Sequence, residues 1–187
     1  MDPYAQWWDY AQQIARALWA GLSLPPIAVY GPVMDTGERA YISGHATYSR
    51  FAPGDNSYTA LGAMVFARPA ITASALAAQG IINHRRGTAA RRAGEPAWRN
   101  TRETHVIVTS ERLLTNSPSG WLSFWHETFE EFYVDLHRWT MVIGFGAHPC
   151  PPVRLTGACV PAISVLTAKR LAGDQWSAEP RLASLLG

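Results

Sequence analysis

The sequence predicts an α+β fold in which a series of short antiparallel strands is followed by one helix. Between residues 105 and 157, apolar residues recur in six short stretches separated by turn residues, which is typical of consecutive hairpins. A helical pattern follows at residues 160–173, and an alternating stretch at residues 39–50 predicts an earlier strand. With 187 residues, of which 48% are hydrophobic, the chain is long enough to form a single core.

The first predicted element is an amphipathic helix within residues 1–26. Asp2 and Pro3 are residues favoured at the N-cap and at the first helical position. Trp7 and Trp8 belong to an apolar face that repeats every three or four residues. Because the opposite face carries a single arginine, we expect the apolar face to dock on the protein's own domain or on a partner, including a second copy, rather than on a membrane.

Residues 27–173 are predicted to form one domain that contains a helical insertion at about residues 68–95. The insertion is rich in alanine, carries an approximate apolar stripe and becomes basic towards its end. The remaining residues, 174–187, are predicted to form a loosely attached tail. The sequence therefore predicts a first helix, one domain with an insertion, and a tail.

The strands after the insertion are predicted from alternating apolar residues and from the turn residues between them. Their sequences are HVIVT, RLLTN, WLSFWH, FEEFYVDL, TMVIGFG and PVRLTG. The closing helix is VPAISVLTAKRLAG, in which Pro161 suits the first turn.

Four short motifs accompany these elements. They are the pair Gly37-Glu38 near the first strand, the Thr-x-x-Arg-Leu hairpin at 109–113, the strand start Gly120-Trp121, and the Arg-Leu-x-Gly strand end at 154–157. In the order of its elements and in these motifs, the sequence resembles the pleckstrin-homology-like family, in particular its bacterial and GRAM-type members. The resemblance covers residues 100–158 and the last helix, and it implies an antiparallel barrel of about seven strands with a C-terminal capping helix.

Domains of this family mostly bind peptides, proteins or lipids, so the resemblance implies a non-enzymatic binding or regulatory protein. We therefore expect a protein partner. Peripheral binding to an anionic membrane surface and nucleic-acid binding are the alternatives, in that order. The first helix is also a candidate surface for a homo-oligomer.

The candidate binding residues are six arginines in and after the insertion, together with the two tryptophans of the first helix. Clustered arginines create a positive field that attracts phosphates, lipid headgroups or an acidic protein surface. The alternative is that these arginines pair, within one fold, with the acidic run at residues 127–135. The candidates are Arg85, Arg86, Arg91, Arg92, Arg99, Arg102, Trp7 and Trp8.

No motif for catalysis, for a cofactor or for a metal is found in the sequence. The histidines lack ligand spacing, and neither a glycine-rich phosphate loop nor a nucleophile elbow is present. Cys150 and Cys159 match no zinc pattern and are expected to be free thiols. We expect no catalytic residue, metal or cofactor. An enzyme would require a deep pocket lined by His126, Glu130 and other polar groups.

The composition says more about the source genome and the cellular compartment of the protein than about what it binds. The basic residues are fifteen arginines and the single lysine Lys169, a bias typical of GC-rich bacterial or bacteriophage genomes. The net charge of +2 is too small to imply nucleic-acid binding by itself. The first ten residues do not resemble a secretory signal and no apolar run is long enough to span a membrane, so we expect a cytoplasmic protein, with the membrane surface as a second location.

Overall fold

The structure is a computed structural model that describes residues 2–52, 96–146 and 150–187. In these residues the fold is α+β, with one open antiparallel sheet of seven strands, one α-helix before the strands in the sequence and one α-helix after them. The strands are β1 (Ala40–Ala52), β2 (Ala97–Thr109), β3 (Arg112–Ser117), β4 (Gly120–Trp125), β5 (Phe129–Asp135), β6 (Thr140–Phe145) and β7 (Val153–Thr156). The helices are α1 (Pro3–Trp19) and α2 (Val160–Ala172).

These bounds confirm the predicted strands and both predicted terminal helices to within a few residues, except that β2 begins eight residues before the predicted stretch. The predicted helical insertion at 68–95 lies outside the described residues. In the described part of the chain, no helix combines the length and the apolar character needed to cross a bilayer.

The strand β1 is the centre of the sheet and joins two antiparallel halves. The strand order is β4-β3-β2-β1-β7-β6-β5, so β1 pairs with β2 on one side and with β7 on the other. Tyr48 of β1 is opposite Arg102 of β2 and Leu155 of β7. Residues of β1 are therefore close to both halves of the sheet.

The sheet curls so strongly that its two halves face each other. Phe124 of β4 and Phe145 of β6 are separated by five strand-to-strand steps, which in a flat sheet would span roughly 24 Å. Their ring centroids are only 5.6 Å apart. The inner face of the curled sheet is filled by apolar side chains from all seven strands, including Ile42, Leu113 and Met141, each at most 1% exposed.

Helix α2 packs against this inner face and is itself deeply buried. All nine residues from Val160 to Ala168 are buried. Gly44 of β1 permits the close approach, because a Cβ atom at this position would lie 2.9 Å from the Cβ of Cys159 and 3.0 Å from the ring of Trp7. The sheet, α1 and α2 thus share one core.

The N-terminal helix docks on its own domain. Asp2 caps α1 by accepting a hydrogen bond from the Tyr4 N–H at 2.9 Å, as the sequence predicted. Trp7 and Trp8 are half-buried and pack against the main core. Trp8 also contacts the ring of Trp139 in an edge-to-face arrangement, with centroids 5.6 Å apart. The two tryptophans of the apolar face of α1 are therefore packed within the chain.

The C-terminal residues are packed, so the prediction of a loosely attached tail is wrong. Two short 3-10 helices, Gly173–Ala178 and Pro180–Leu185, follow α2. Trp176, Leu182 and Leu185 are each at most 1% exposed and belong to the main core. Burial of these three apolar side chains is favourable enough to hold the segment in place.

A buried ion pair joins the beginning of the domain to the β2–β3 hairpin. Arg112 donates from Nε to Glu38 Oε1 and from Nη2 to Glu38 Oε2, both at 2.9 Å. Thr109 Oγ1 donates to the same carboxylate at 2.6 Å, and the Asp35 N–H donates at 2.9 Å. Burial by itself raises the pKa of Glu38, but these hydrogen bonds and the charge of Arg112 hold it below its ordinary value.

Candidate binding site

Four arginines gather where β1 ends and where β2 and β7 begin. We call Arg50, Arg99, Arg102 and Arg154 the arginine cluster. Arg50 is opposite Arg99 of β2 and Val153 of β7, and Ser49 is opposite Arg154. The cluster is therefore a product of strand pairing, because its members come from three different strands.

A β-bulge in β2 determines which arginines meet. Between the pairs Tyr48–Arg102 and Arg50–Arg99, β1 advances two residues and β2 advances three. Asn100 lies in this bulge and has a left-handed backbone, with φ of 55°. Asparagine adopts this conformation more readily than most residues do. Without the bulge, strand alternation would place Arg99 and Arg102 on opposite faces. With it, both lie opposite inward-facing residues of β1.

On the inner side of the sheet, two guanidinium groups share one aromatic ring. The guanidinium carbon of Arg102 lies 4.3 Å from the ring centroid of Tyr48, and that of Arg50 lies 5.9 Å from the same centroid. Arg50 also lies 5.5 Å from the ring centroid of Phe124 and donates from Nε to the Tyr48 hydroxyl. The rings hold both arginines in fixed orientations.

Two nitrogen atoms of Arg102 have no hydrogen-bond partner. Nε and Nη2 of this side chain are buried and unpaired. Among the ion pairs of the described residues, none includes Arg102 or Arg50. An unpaired charged donor shielded from water costs free energy, so this arrangement needs an explanation beyond packing.

Tyr48, which lies beneath both guanidinium groups, is almost completely buried, with 1% of its surface exposed. Burial raises the pKa of its hydroxyl, and the positive charges of Arg50 and Arg102 act in the opposite direction without reversing the shift. The phenol is therefore neutral at physiological pH. It supplies no negative charge to balance the two arginines.

On the outer side, Arg154 and Trp98 form a second part of the cluster. The guanidinium carbon of Arg154 lies 4.5 Å from the ring centroid of Trp98, and its Nε donates to Ser49 Oγ at 3.0 Å. Phe51 packs edge-to-face against Trp98, with centroids 5.4 Å apart. Arg99, which lies opposite Arg50 and not on this outer side, donates from Nε to the Ala52 carbonyl at 3.4 Å.

The structure brings together only part of the predicted binding set. Arg99 and Arg102 lie in the cluster, whereas Trp7 and Trp8 lie on α1 and contact the core. The other four predicted arginines are outside the described residues. They are Arg85, Arg86, Arg91 and Arg92.

Sequence reasoning missed Arg50, Arg154 and Tyr48 as members of the site. Arg154 was identified in a strand motif, but no local pattern connects it to residues 50 or 102. The sequence signal that was available is modest, since Arg50 is the last residue of a predicted strand that is rich in Tyr and Ser.

The acidic run does not neutralise Arg50 or Arg102. Asp135 is paired with Arg138, three residues further on, at 3.6 Å. Glu131 packs against Gly144, where a Cβ atom would lie 2.8 Å from it. For these two arginines, the alternative of internal pairing with residues 127–135 receives no support from the described contacts.

Three of the described histidines make contacts within the fold. His126 is buried, its Nε2 lies 3.2 Å from the Thr109 carbonyl oxygen, and burial lowers its pKa to about 4. His45 and His105 stack on the outer face with ring centroids 5.1 Å apart, and Ser43 Oγ lies 2.7 Å from His105 Nε2. The pKa of His105 is lowered by burial and by the neighbouring His45. Among the described residues, no group of three or more potential ligands is arranged to hold a metal ion.

One cavity of about 190 Å³ lies between β5, α2 and the C-terminal segment. Its walls are mainly apolar, with Phe129, Phe132 and Leu171 among them. Glu130 reaches its wall, but His126 does not. This cavity is therefore not the polar pocket that an enzyme using His126 and Glu130 would require.

Both cysteines are free, as the sequence predicted. Cys150 is half-buried and Cys159 is buried. Burial raises the pKa of Cys159 to about 12, and the pKa of Cys150 is also raised by burial. Neither thiol is ionised at neutral pH, so neither is activated as a nucleophile.

Comparisons with protein-family models, with curated proteins and with solved structures found no match for this chain.

Proposed function

We propose that this chain is a non-enzymatic binding or regulatory protein on a pleckstrin-homology-like scaffold, and that it engages an acidic protein partner through the arginine cluster. The observation that carries the proposal is the unpaired guanidinium of Arg102, held on Tyr48 beside a second arginine. Within the described residues, neither Arg50 nor Arg102 forms an ion pair, and positive charge held in this way is suited to an anionic ligand.

The scaffold part of the proposal is supported by the layout and by the motifs. Seven antiparallel strands are followed by a helix that packs on the curled sheet. Two of the motifs behind the resemblance meet in one buried network, in which Thr109 and Arg112 hold the Glu38 carboxylate. This network gives those short motifs a physical reason to occur together.

The choice of a protein partner over a membrane is supported by the way the charges are held. Arg50 and Arg102 are fixed on aromatic rings, which favours directional recognition of a carboxylate over the diffuse attraction of a lipid surface. The apolar face of α1, which the membrane alternative would insert, is packed on the domain through Trp7 and Trp8. Insertion of Trp7 and Trp8 into a membrane would therefore require α1 to leave the domain.

The proposal is tested by comparing three immobilised forms of the protein as baits for lysate of the source cells. The first is wild type, the second is Arg50→Gln/Arg102→Gln, and the third is the matched control Arg16→Gln/Arg138→Gln. The control removes the same charge from exposed sites on α1 and at the far end of β5. We expect a protein with an acidic segment to be retained equally by wild type and control, and at least tenfold less by Arg50→Gln/Arg102→Gln.

Equal retention on all three baits, or no reproducible retention on wild type, overturns the proposal. Two further measurements identify what replaces it. Flotation of wild type with phosphatidylserine vesicles at low salt, lost in Arg50→Gln/Arg102→Gln, would favour the membrane alternative. A salt-dependent mobility shift of nucleic acid with the same loss would favour the nucleic-acid alternative. Circular dichroism of each variant checks that it is folded.

A further inference from the structure

The unpaired atoms of Arg102 form one particular edge of its guanidinium group. Nε and Nη2 lie side by side and donate in parallel, so together they match the two oxygens of a carboxylate. Both atoms are buried and without a partner, although Arg102 as a residue is partly exposed. The side chain thus combines a buried, unpaired donor edge with partial exposure of the residue.

Two other arginines of this chain use the same edge to hold a carboxylate. Arg112 donates from Nε and Nη2 to the two oxygens of Glu38, each at 2.9 Å. Arg181 donates from Nε and Nη2 to the two oxygens of Glu179, at 2.6 Å and 2.7 Å. Both pairs also place the guanidinium near an aromatic ring, Trp125 at 4.7 Å and Tyr133 at 5.3 Å. Arg102 reproduces the arginine and the ring but lacks the carboxylate.

We propose that Arg102, oriented by Tyr48 and assisted by the charge of Arg50, binds a single carboxylate group supplied by the protein partner. The inference rests on the proposed function and adds the chemical class of the group recognised. The carboxylate would accept from Nε and Nη2 of Arg102, as Glu38 and Glu179 accept from Arg112 and Arg181. The negative charge of the carboxylate would also reduce the repulsion between the guanidinium groups of Arg50 and Arg102, which share the Tyr48 ring.

The environment of the site favours an anion with one negative charge. Arg50 already donates from Nε to the Tyr48 hydroxyl, so this arginine contributes mainly charge. Arg102 offers one edge rather than the several converging donors that a phosphate with three acceptor oxygens would need. The chemistry therefore matches a side-chain or C-terminal carboxylate.

The inference is tested on the isolated protein by NMR of the arginine Nε–H groups. The Arg102 signal is assigned from its loss in Arg102→Leu, and wild type is titrated with sodium acetate, with sodium chloride at equal ionic strength, and with acetamide. We expect a saturable shift of the Arg102 Nε–H signal with acetate alone. Arg16→Gln/Arg138→Gln is expected to behave as wild type does.

Two peptides distinguish the sources of the carboxylate. One is a Gly-Glu-Gly tripeptide capped at both ends, in which the side chain provides the carboxylate. The other is N-acetylated Gly-Gly with a free C-terminus. The peptide that shifts the Arg102 signal at the lower concentration identifies the source, and inorganic phosphate is titrated as the competing chemistry. A shift with phosphate and none with acetate overturns the inference, as does no saturable shift with any carboxylate.

Stability provides a second test that does not depend on finding a ligand. Arg102→Leu keeps an apolar side chain on Tyr48 and removes the unpaired donors, so the Tm is expected to rise by about 2 to 4 °C. A fall in Tm would show that the guanidinium is structural and would overturn the inference. If acetate binds at Arg102 while no acidic protein is retained by the baits, the site stands and the proposed function fails. If an acidic protein is retained by the baits while no carboxylate shifts the Arg102 signal, the proposed function stands and the inference about Arg102 fails.

Discussion

Asn100 is the residue on which the arrangement of the arginine cluster depends. Its left-handed backbone belongs to the bulge that places Arg99 opposite Arg50 and Arg102 opposite Tyr48. A residue with a branched Cβ is strained in this conformation, whereas glycine adopts it freely. The backbone conformation of one residue therefore determines how the arginines of β1 and β2 are placed relative to one another.

We expect Asn100→Val to lower the free energy of unfolding by about 1–2 kcal/mol, because valine must either accept the left-handed conformation or remove the bulge. Asn100→Gly is expected to differ from wild type by much less. The matched control is Thr101→Val at the adjacent exposed position. Its free energy of unfolding should stay within about 0.5 kcal/mol of the wild-type value. Urea unfolding measures all three variants. Equal effects of Val and Gly at position 100 would contradict the role given to its backbone.

At the scale of elements, α1 is an integral part of the fold. Its Trp8 packs against the core and against Trp139, a residue that itself has a positive φ of 53°. Trp139 contacts Tyr4 of the same helix as well, with ring centroids 4.7 Å apart. The turn between β5 and β6 thus presents an aromatic side chain on which the first half of α1 rests.

Replacing Trp8 with alanine should lower the free energy of unfolding by about 2 kcal/mol. The value is below that of a fully buried tryptophan because Trp8 is only half-buried, and it includes the lost aromatic contact with Trp139. Gln13→Ala, on the exposed side of the same helix, controls for changes in helix propensity and should change stability by less than about 0.5 kcal/mol. Denaturant unfolding is the measurement. If Trp8→Ala is as stable as Gln13→Ala, the docking of α1 contributes little.

The elements themselves could be predicted from the sequence, because their signals are local. Alternation and turn residues defined β3 to β7, and Asp2 with Pro3 marked the start of α1. The site could be predicted only in part. Arg99 and Arg102 were found from their charge, but Arg50 and Arg154 join them through strand pairing between residues distant in the sequence.

Two further features depended on tertiary context. The burial of Trp176 and its neighbours could not be inferred, since a short segment with scattered apolar residues has no periodic pattern. The bulge at Asn100 was also hidden, because an asparagine in a polar stretch is compatible with many backbones. Long-range register, and not local propensity, therefore decides where the charges of this protein lie.

At the scale of the whole molecule, buried titratable groups make stability depend on pH. His126 has a folded pKa of about 4, against 6.5 for an unperturbed histidine, and the charge of Arg170 adds to the effect of burial while Glu38 opposes it. The unfolded chain therefore binds more protons than the folded chain between these two values. Stability conferred by neutral His126 is complete above pH 6.5 and is lost as the pH falls towards 4.

We expect the free energy of unfolding of wild type to fall by about 3 kcal/mol between pH 7 and pH 4 on account of His126 alone. His105, whose pKa is also lowered, adds a smaller loss of the same sign, and the Glu38 carboxylate adds to it as the pH falls below its unfolded pKa. His126→Gln removes the largest contribution. Its stability at pH 7 should be lower than that of wild type, and its decline towards pH 4 should be much shallower.

The matched control for this experiment is His137→Gln, at an exposed histidine. Its free energy of unfolding should depend on pH as that of wild type does. Urea unfolding at half-unit pH intervals from 7 to 4 provides the comparison. Parallel curves for wild type and His126→Gln would mean that the imidazole accepts a proton in the folded state as easily as in the unfolded state. The acid sensitivity of the molecule would then have to arise from other groups, and the network around Glu38 is the next one to test. Arg112→Met breaks the buried ion pair with Glu38 and should lower the free energy of unfolding by about 3–5 kcal/mol at neutral pH.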